Sequence, residues 1–156
     1  MQERGTQLRG RRGENVGGAE GSCALQAGGA MVITGPNGAG KSTRLRVRAG
    51  LLGADSGTFR LTDAAGIAVP VSEAAHYLGH ANAMKRELTV TENLLFWQRF
   101  LASDTVSGVS IDEAIATVGL TGVGHLPFGY LSAGQQRRIA LARLLVASRP
   151  LWLLDE

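Results

Sequence analysis

Cysteine is almost missing from this chain: Cys23 is the one thiol in 156 residues. A lone cysteine excludes an internal disulfide and fits a reducing compartment, with a buried or incidental thiol as its role. Long apolar runs are missing too. No uncharged stretch reaches the roughly 18 residues that a membrane-spanning helix needs, and the opening MQERGTQLRGRRGENVGG is polar rather than a charged segment leading into an apolar one. We therefore expect neither a membrane span nor a secretory signal, and place the chain in the cytoplasm. Aromatic residues make up only 5%, and none precedes Phe59. No internal repeat is visible. What is present is 44% hydrophobic residues, enough for one packed core and too short a chain for two ordinary domains.

The formal charge of +3 is unevenly spread. Residues 1–48 carry eight Arg and Lys against three Glu, a balance of +5, whereas the rest carries eight basic and ten acidic residues, a balance of −2. Residues 1–28 are rich in Gly, Arg and Glu without a clear period, so they are expected to form a basic, poorly ordered arm. Such an arm could meet nucleic acid or acidic headgroups, but it lacks interleaved aromatics, and we assign it no specific nucleic-acid partner.

From there the pattern becomes regular. AMVIT, Ala30 to Thr34, reads as a short strand running into GPNGAGKST, after which LRVRAGLL reads as a helix closed near Gly50 to Gly53. GTFRLTDAAGIAVP reads as a hairpin and HYLGH as a short strand ending at His80. Thr91 is a plausible cap for ENLLFWQRFLA, and Ser110 with Glu113 three residues later forms a capping box before an apolar-spaced helix. A further helix opens at Ser132, and LWLLDE is an apolar strand ending in two acids.

Gly35 to Ser42 fits G-x-x-x-x-G-K-[ST], placed between an expected strand and an expected helix. In that setting Gly35, Pro36, Asn37, Gly38, Ala39, Gly40, Lys41, Ser42 and Thr43 form a phosphate loop. Its glycines let the backbone approach closely, so that successive N–H groups surround the phosphates. Lys41 adds charge for the β and γ groups, and Ser42 offers a hydroxyl to Mg²⁺. LWLLDE supplies the second half: Asp155 can hold Mg²⁺ through its water shell, and Glu156 can orient or deprotonate an attacking water. Both parts would lie at the carboxyl ends of parallel strands, where such ligands bind. The binding of a nucleoside triphosphate with Mg²⁺ follows.

The stretch YLSAGQQRR has two readings. Ser132 and Gln135 form a capping box, while Ala133 and Gly134 leave the helix-start donors uncovered, so the same start could hold an anion.

A phosphate loop, a largely helical insertion, LSAGQ and a strand ending in DE together resemble the ATP-binding cassette family, whose signature is LSGGQ. Leu131, Ser132, Ala133, Gly134 and Gln135 match it with Ala133 for Gly. The resemblance implies a P-loop NTPase fold: an α/β, three-layer cassette core with a helical insertion over roughly 82–130, within a cassette domain over 29–156. It also implies a head-to-tail pair of cassettes, in which the signature of one subunit faces ATP held on the other. Both readings of YLSAGQQRR then hold together.

HYLGHANAMKRELTVTENLLFW followed by GYLSAGQQRRIALARLLVASRPLWLLDE is similar to one subfamily, the ATP-binding subunits of haem exporters used in cytochrome c maturation. The LGH and ENLLFW elements carry that likeness. It implies an ATPase on the cytoplasmic face of the bacterial inner membrane, bound peripherally to integral membrane subunits. It also puts His80 where most cassettes carry a Gln that reaches Mg²⁺ and the attacking water, so His80 and Glu156 are the implied catalytic residues. His76 and His125 are expected to be structural. Phe96, Trp97 and Phe100 face either a core or a groove for a cytoplasmic helix of the membrane subunit.

Three departures stand against the family pattern. No early aromatic is present to stack on adenine. Arg44 and Arg48 occupy positions where the family has apolar residues, so either they snorkel outward or their helix is strained. The sequence also ends at Glu156, before the family's γ-phosphate-sensing His and the C-terminal strands. From this we expect a fragment inactive by itself. Two alternatives to a transporter ATPase are a cassette ATPase of another class and a nucleotide-binding module without turnover.

Overall fold

The computed structural model describes residues 7–11, 24–53, 58–101 and 108–155, and these divide into two compact units. The first comprises the chain up to Tyr77 together with Leu153–Asp155, and the second runs from Leu78 to Trp152.

In the first unit β1 (Gln7–Arg11) lies between β2 (Ala24–Leu25) and β3 (Thr58–Thr62), and β4 (Ala68–Val69) completes an antiparallel sheet of order β2-β1-β3-β4. Part of the stretch expected as a structureless basic arm is thus an inner strand, with Leu8 opposite Leu25 on one side and Leu61 on the other. The ladder supplies the backbone partners that the sequence, lacking a clear period there, did not announce. The hairpin expected in GTFRLTDAAGIAVP is β3–β4. Asp63 shapes its turn by accepting hydrogen bonds from the amides of Ala65 and Ile67 at 2.9 Å each through one carboxylate oxygen.

AMVIT is a correction. Residues 30–34 form no ladder, and Val32 is 82% exposed. Apolar β-branched composition favours an extended chain, but a strand exists only where a neighbour completes its hydrogen bonds, and none of the described residues does so here.

Helix α1 (Lys41–Arg48) follows the loop and ends where Gly50 adopts φ 73°. It buries no residue, so Arg44 and Arg48 are accommodated on a half-buried face rather than in a core, although Nη1 of Arg48 is enclosed without a hydrogen-bond partner. The short α2 (Val71–Ala74) leads into β5 (Ala75–Leu78), which pairs with β6 (Leu151–Leu154).

The second unit is built on α3 (Val90–Phe100), α4 (Ile111–Thr117) and α5 (Ala133–Val146), preceded by a 3-10 turn at Phe128–Tyr130. Val90, Leu94, Ile115, Phe128, Leu131 and Ile139 form its core. Thr89, not Thr91, caps α3: its hydroxyl accepts from the Glu92 amide at 3.2 Å while the Glu92 carboxylate accepts from the Thr89 amide at 2.8 Å. The bond from the Thr89 amide, and after it one that the Thr89 hydroxyl donates to the same carboxylate oxygen at 2.8 Å, hold the Glu92 carboxyl below its ordinary range. Thr91 lies within the helix, and its amide donates to the carbonyl of Gly124. At α4 the Ser110 hydroxyl accepts from the Glu113 amide at 3.2 Å, which is one half of the capping box expected there; the reciprocal bond to the Glu113 side chain is not formed. Buried Asn93 fixes the entry to α3, donating to the carbonyls of Lys85, Leu88 and Thr89 and accepting from the Lys85 amide.

Candidate functional site

The loop Gly35–Gly40 turns on positive φ. Gly38 sits at 82° and Gly40 at 77°, and a Cβ on either would meet nothing within 4 Å. Conformation, not crowding, therefore requires glycine at both positions. Gly40 is the N-cap of α1 and no side chain caps that helix start, whose first turn also carries no acid. The first amides of α1 consequently present an uncovered positive end. Lys41 Nζ folds back to donate to the carbonyl oxygens of Gly35 at 2.8 Å and Pro36 at 3.0 Å, so its charge lies along the loop it follows.

Asp155, at the end of β6, is buried, and the hydroxyl of Ser42, the second residue of α1, donates to its Oδ1 at 2.8 Å. The structure thus brings together residues 113 positions apart in the sequence. A hydroxyl and a carboxylate this close are hard oxygen donors of the kind Mg²⁺ takes, and Mg²⁺ commonly rests on one or two protein groups plus substrate phosphates. No group of three or more His, Cys, Asp or Glu gathers around a metal-sized point among the described residues, so a cation here would depend on that small set.

Two participants were not visible in the sequence. The Tyr77 hydroxyl donates to the other carboxylate oxygen, Oδ2 of Asp155, at 2.9 Å. Arg46 Nε in turn donates to the Tyr77 hydroxyl at 3.3 Å, and that bond raises the guanidinium pKa from its ordinary value. The position of Arg46 four residues after Ser42 puts both on one face of α1, which is the signal that could have found it. Tyr77 in HYLGH carried no such mark.

The start of α5 shows both halves of the capping box. The Ser132 amide donates to the Gln135 side-chain oxygen at 2.9 Å, and the Gln135 amide donates to the Ser132 hydroxyl at 3.3 Å. Ser132, Ala133 and Gly134 are nonetheless exposed, and a Cβ on Gly134 would meet nothing within 4 Å. Leu131 is buried and anchors the turn in the core. Cap and open surface coexist at one helix start.

His80 is exposed and follows β5 directly. Its segment is held from α5: Arg137 Nη1 donates to the Gly79 carbonyl at 2.7 Å and to Asn82 Oδ1 at 3.4 Å. His76 is buried within β5, as a structural residue would be, whereas His125 is exposed. Glu156 lies outside the described residues.

Among the aromatics on α3, Trp97 is half-buried and its indole N–H donates to the Ala83 carbonyl at 3.0 Å. Phe96 and Phe100 are 56% and 67% exposed and stack at 5.8 Å with planes 9° apart. The core reading thus fits none of the three rings fully, and two of them form a surface patch.

A family model described as "ABC transporter" matches residues 20–156. The chain is 61% identical over 150 residues to the cytochrome c biogenesis ATP-binding export protein CcmA of Rhizobium meliloti (strain 1021), covering 96% of this chain and 72% of that protein. It is 57% identical over 148 residues to the protein of the same name from Agrobacterium fabrum (strain C58 / ATCC 33970), covering 94% of this chain and 70% of that one. Among solved structures, an ABC transporter ATP-binding protein from Pyrococcus furiosus superimposes with a TM-score of 0.78 at 23% identity, covering 96% of this chain and 74% of that chain. A metal-chelate type ABC transporter in an inward-facing conformation gives 0.74 at 21%, covering 97% of this chain and 60% of that chain. These likenesses show the P-loop cassette fold.

Proposed function

The chain belongs to the ABC transporter family, and from that premise we propose that it is the ATP-binding and hydrolysing subunit of a membrane exporter that serves cytochrome c biogenesis. The observation that carries the nucleotide part is the Ser42–Asp155 contact at 2.8 Å, beside a glycine loop whose helix start is free of side-chain caps. The export role rests on the likeness, at 61% and 57% identity, to cytochrome c biogenesis ATP-binding export proteins. Haem as cargo follows from the LGH and ENLLFW elements and is the finer part of the proposal.

Each residue has a role in this reading. Amides from Gly38 to Ser42 surround the phosphates, and Lys41 exchanges its loop carbonyls for β- and γ-phosphate oxygens. Mg²⁺, when bound, neutralises charge developing on the transferring phosphoryl group. Ser42 and Asp155 would hold it, and Glu156 would position the attacking water as general base. His80 would contribute a hydrogen bond near the same water.

Leu131 to Gln135 would meet the nucleotide of a second cassette subunit in a head-to-tail pair; the exposure of Ser132 to Gly134 leaves room for that contact. The stacked Phe96 and Phe100 would receive a cytoplasmic helix of the integral membrane subunit. No helix of the described residues is long and apolar enough to cross a membrane, so the membrane contribution is assigned to those partners. Location at the cytoplasmic side of the inner membrane follows.

A pull-down with the membrane subunits, combined with steady-state phosphate release, tests the proposal. Co-purification is expected, with ATP-dependent phosphate release from the assembled complex and not from this chain by itself. Phosphate release without any membrane partner favours a cassette ATPase of another class, and nucleotide binding without release favours a module that does not turn over.

A further inference from the structure

Ser42, Asp155, Tyr77 and Arg46 form a continuous hydrogen-bonded chain. Ser42 and Arg46 come from one face of α1, Tyr77 from β5 and Asp155 from the end of β6. Each Asp155 oxygen accepts one hydroxyl hydrogen bond, at 2.8 Å from Ser42 and 2.9 Å from Tyr77. The terminal torsion of an aspartate is soft and roughly two-fold, so a carboxylate held at one oxygen only can still turn. Two hydroxyls, one on each oxygen, fix its plane. A phenol has one proton to give. Because the Tyr77 oxygen accepts from Arg46 Nε at 3.3 Å, that proton is directed at Asp155.

We propose that Tyr77 is a positioning residue for the divalent cation of the nucleotide site: it pins Oδ2 of Asp155 so that Oδ1 stays turned toward Ser42, and Arg46 orients the phenol. This deepens the function proposed above and rests on Asp155 and Ser42 holding the cation. Ser42 and Asp155 would hold the cation, and the Tyr77 bond to Oδ2 would keep the carboxylate in place while they do so. Groups that orient a metal ligand in this way commonly contribute about 10- to 100-fold in affinity.

The rival is a latch that merely ties α1 to the strands, and it predicts a different result. Mn²⁺ binding in the presence of ATP is measured by EPR on the whole chain, with the thermal midpoint recorded in EDTA. Tyr77→Phe keeps the ring and is expected to weaken Mn²⁺ about tenfold with little change in the midpoint. Arg46→Met should weaken it by a smaller factor and Arg46→Lys should recover part of the loss. If Tyr77→Phe fails to fold, the Arg46 pair reads the same hydrogen-bonded chain. Mn²⁺ affinity equal to wild type in the folded variants, or a loss matched by an equal fall in the midpoint of each, overturns the role of Tyr77. Asp155→Asn separates this from the underlying reading: if it leaves Mn²⁺ binding intact, the cation site itself is misassigned, whereas a loss in Asp155→Asn with none in Tyr77→Phe removes the inference alone.

Discussion

The guanidinium of Arg143 on α5 lies over the indole of Trp97 on α3, with its central carbon 4.4 Å from the ring centroid. Arg143 is only 5% exposed, and burial, followed by the charge of Arg137, pushes its pKa down to about 10. A buried cation that stays charged at neutral pH costs free energy, which the ring face offsets by about 2 kcal/mol for a desolvated pair. Arg143→Met is expected to match or exceed wild type in urea stability at pH 7, whereas Trp97→Leu, which removes the ring and leaves the charge, should lower it. The pH sign follows from a folded pKa below the unfolded one. The folded state then binds fewer protons from about 10 up to the ordinary arginine range, so wild type should gain on Arg143→Met as pH rises through that window. A difference independent of pH would count against the buried-charge account.

Lys41→Ala should abolish ATP binding or turnover. Nothing else on the loop supplies a positive side chain, and Lys41 already lies along it, bonded to the carbonyls of Gly35 and Pro36. Nucleotide titration followed by phosphate release checks this, and unchanged values would remove the phosphate-loop assignment.

Gly134→Glu should leave ATP binding by one subunit intact while preventing ATP-driven pairing. Open space around the Gly134 Cβ position means the substitution need not disturb α5. The acid would, however, meet the partner's γ-phosphate at a helix start suited to anions. Binding and sedimentation of the single variant are sufficient. Loss of single-subunit binding would show that the helix start serves only the fold.

Nucleobase selectivity should be weak. Stacking on an aromatic is worth about 1–3 kcal/mol, and residues 1–58 contain no Phe, Trp or Tyr. GTP is therefore expected to bind within about tenfold of ATP. A strongly adenine-selective isotherm from calorimetry would mean that a ring from elsewhere takes over.

Short-range chemistry was legible in the sequence. The β3–β4 hairpin, the Ser110 and Ser132 caps and the glycine turn before α1 each depend on residues within a few positions of one another, so spacing alone identifies them. The cap of α3 belongs to this class as well: LTVTEN places Thr89 three residues before Glu92, its reciprocal partner, whereas Thr91 has Leu94 at that spacing. Strand pairing was not legible, because a ladder joins segments far apart. β1 looked patternless yet lies between two neighbours, while AMVIT looked like a strand and has none among the described residues.

Residue types and local spacing in the sequence therefore determined which groups could bind phosphate and where helices begin, since amide donors, caps and glycine conformations are set within a turn of chain. Only the tertiary structure decided which groups meet. It set Ser42 against Asp155 across 113 positions and supplied Tyr77 and Arg46 as further partners, because the direction of a carboxylate depends on what the fold packs beside it.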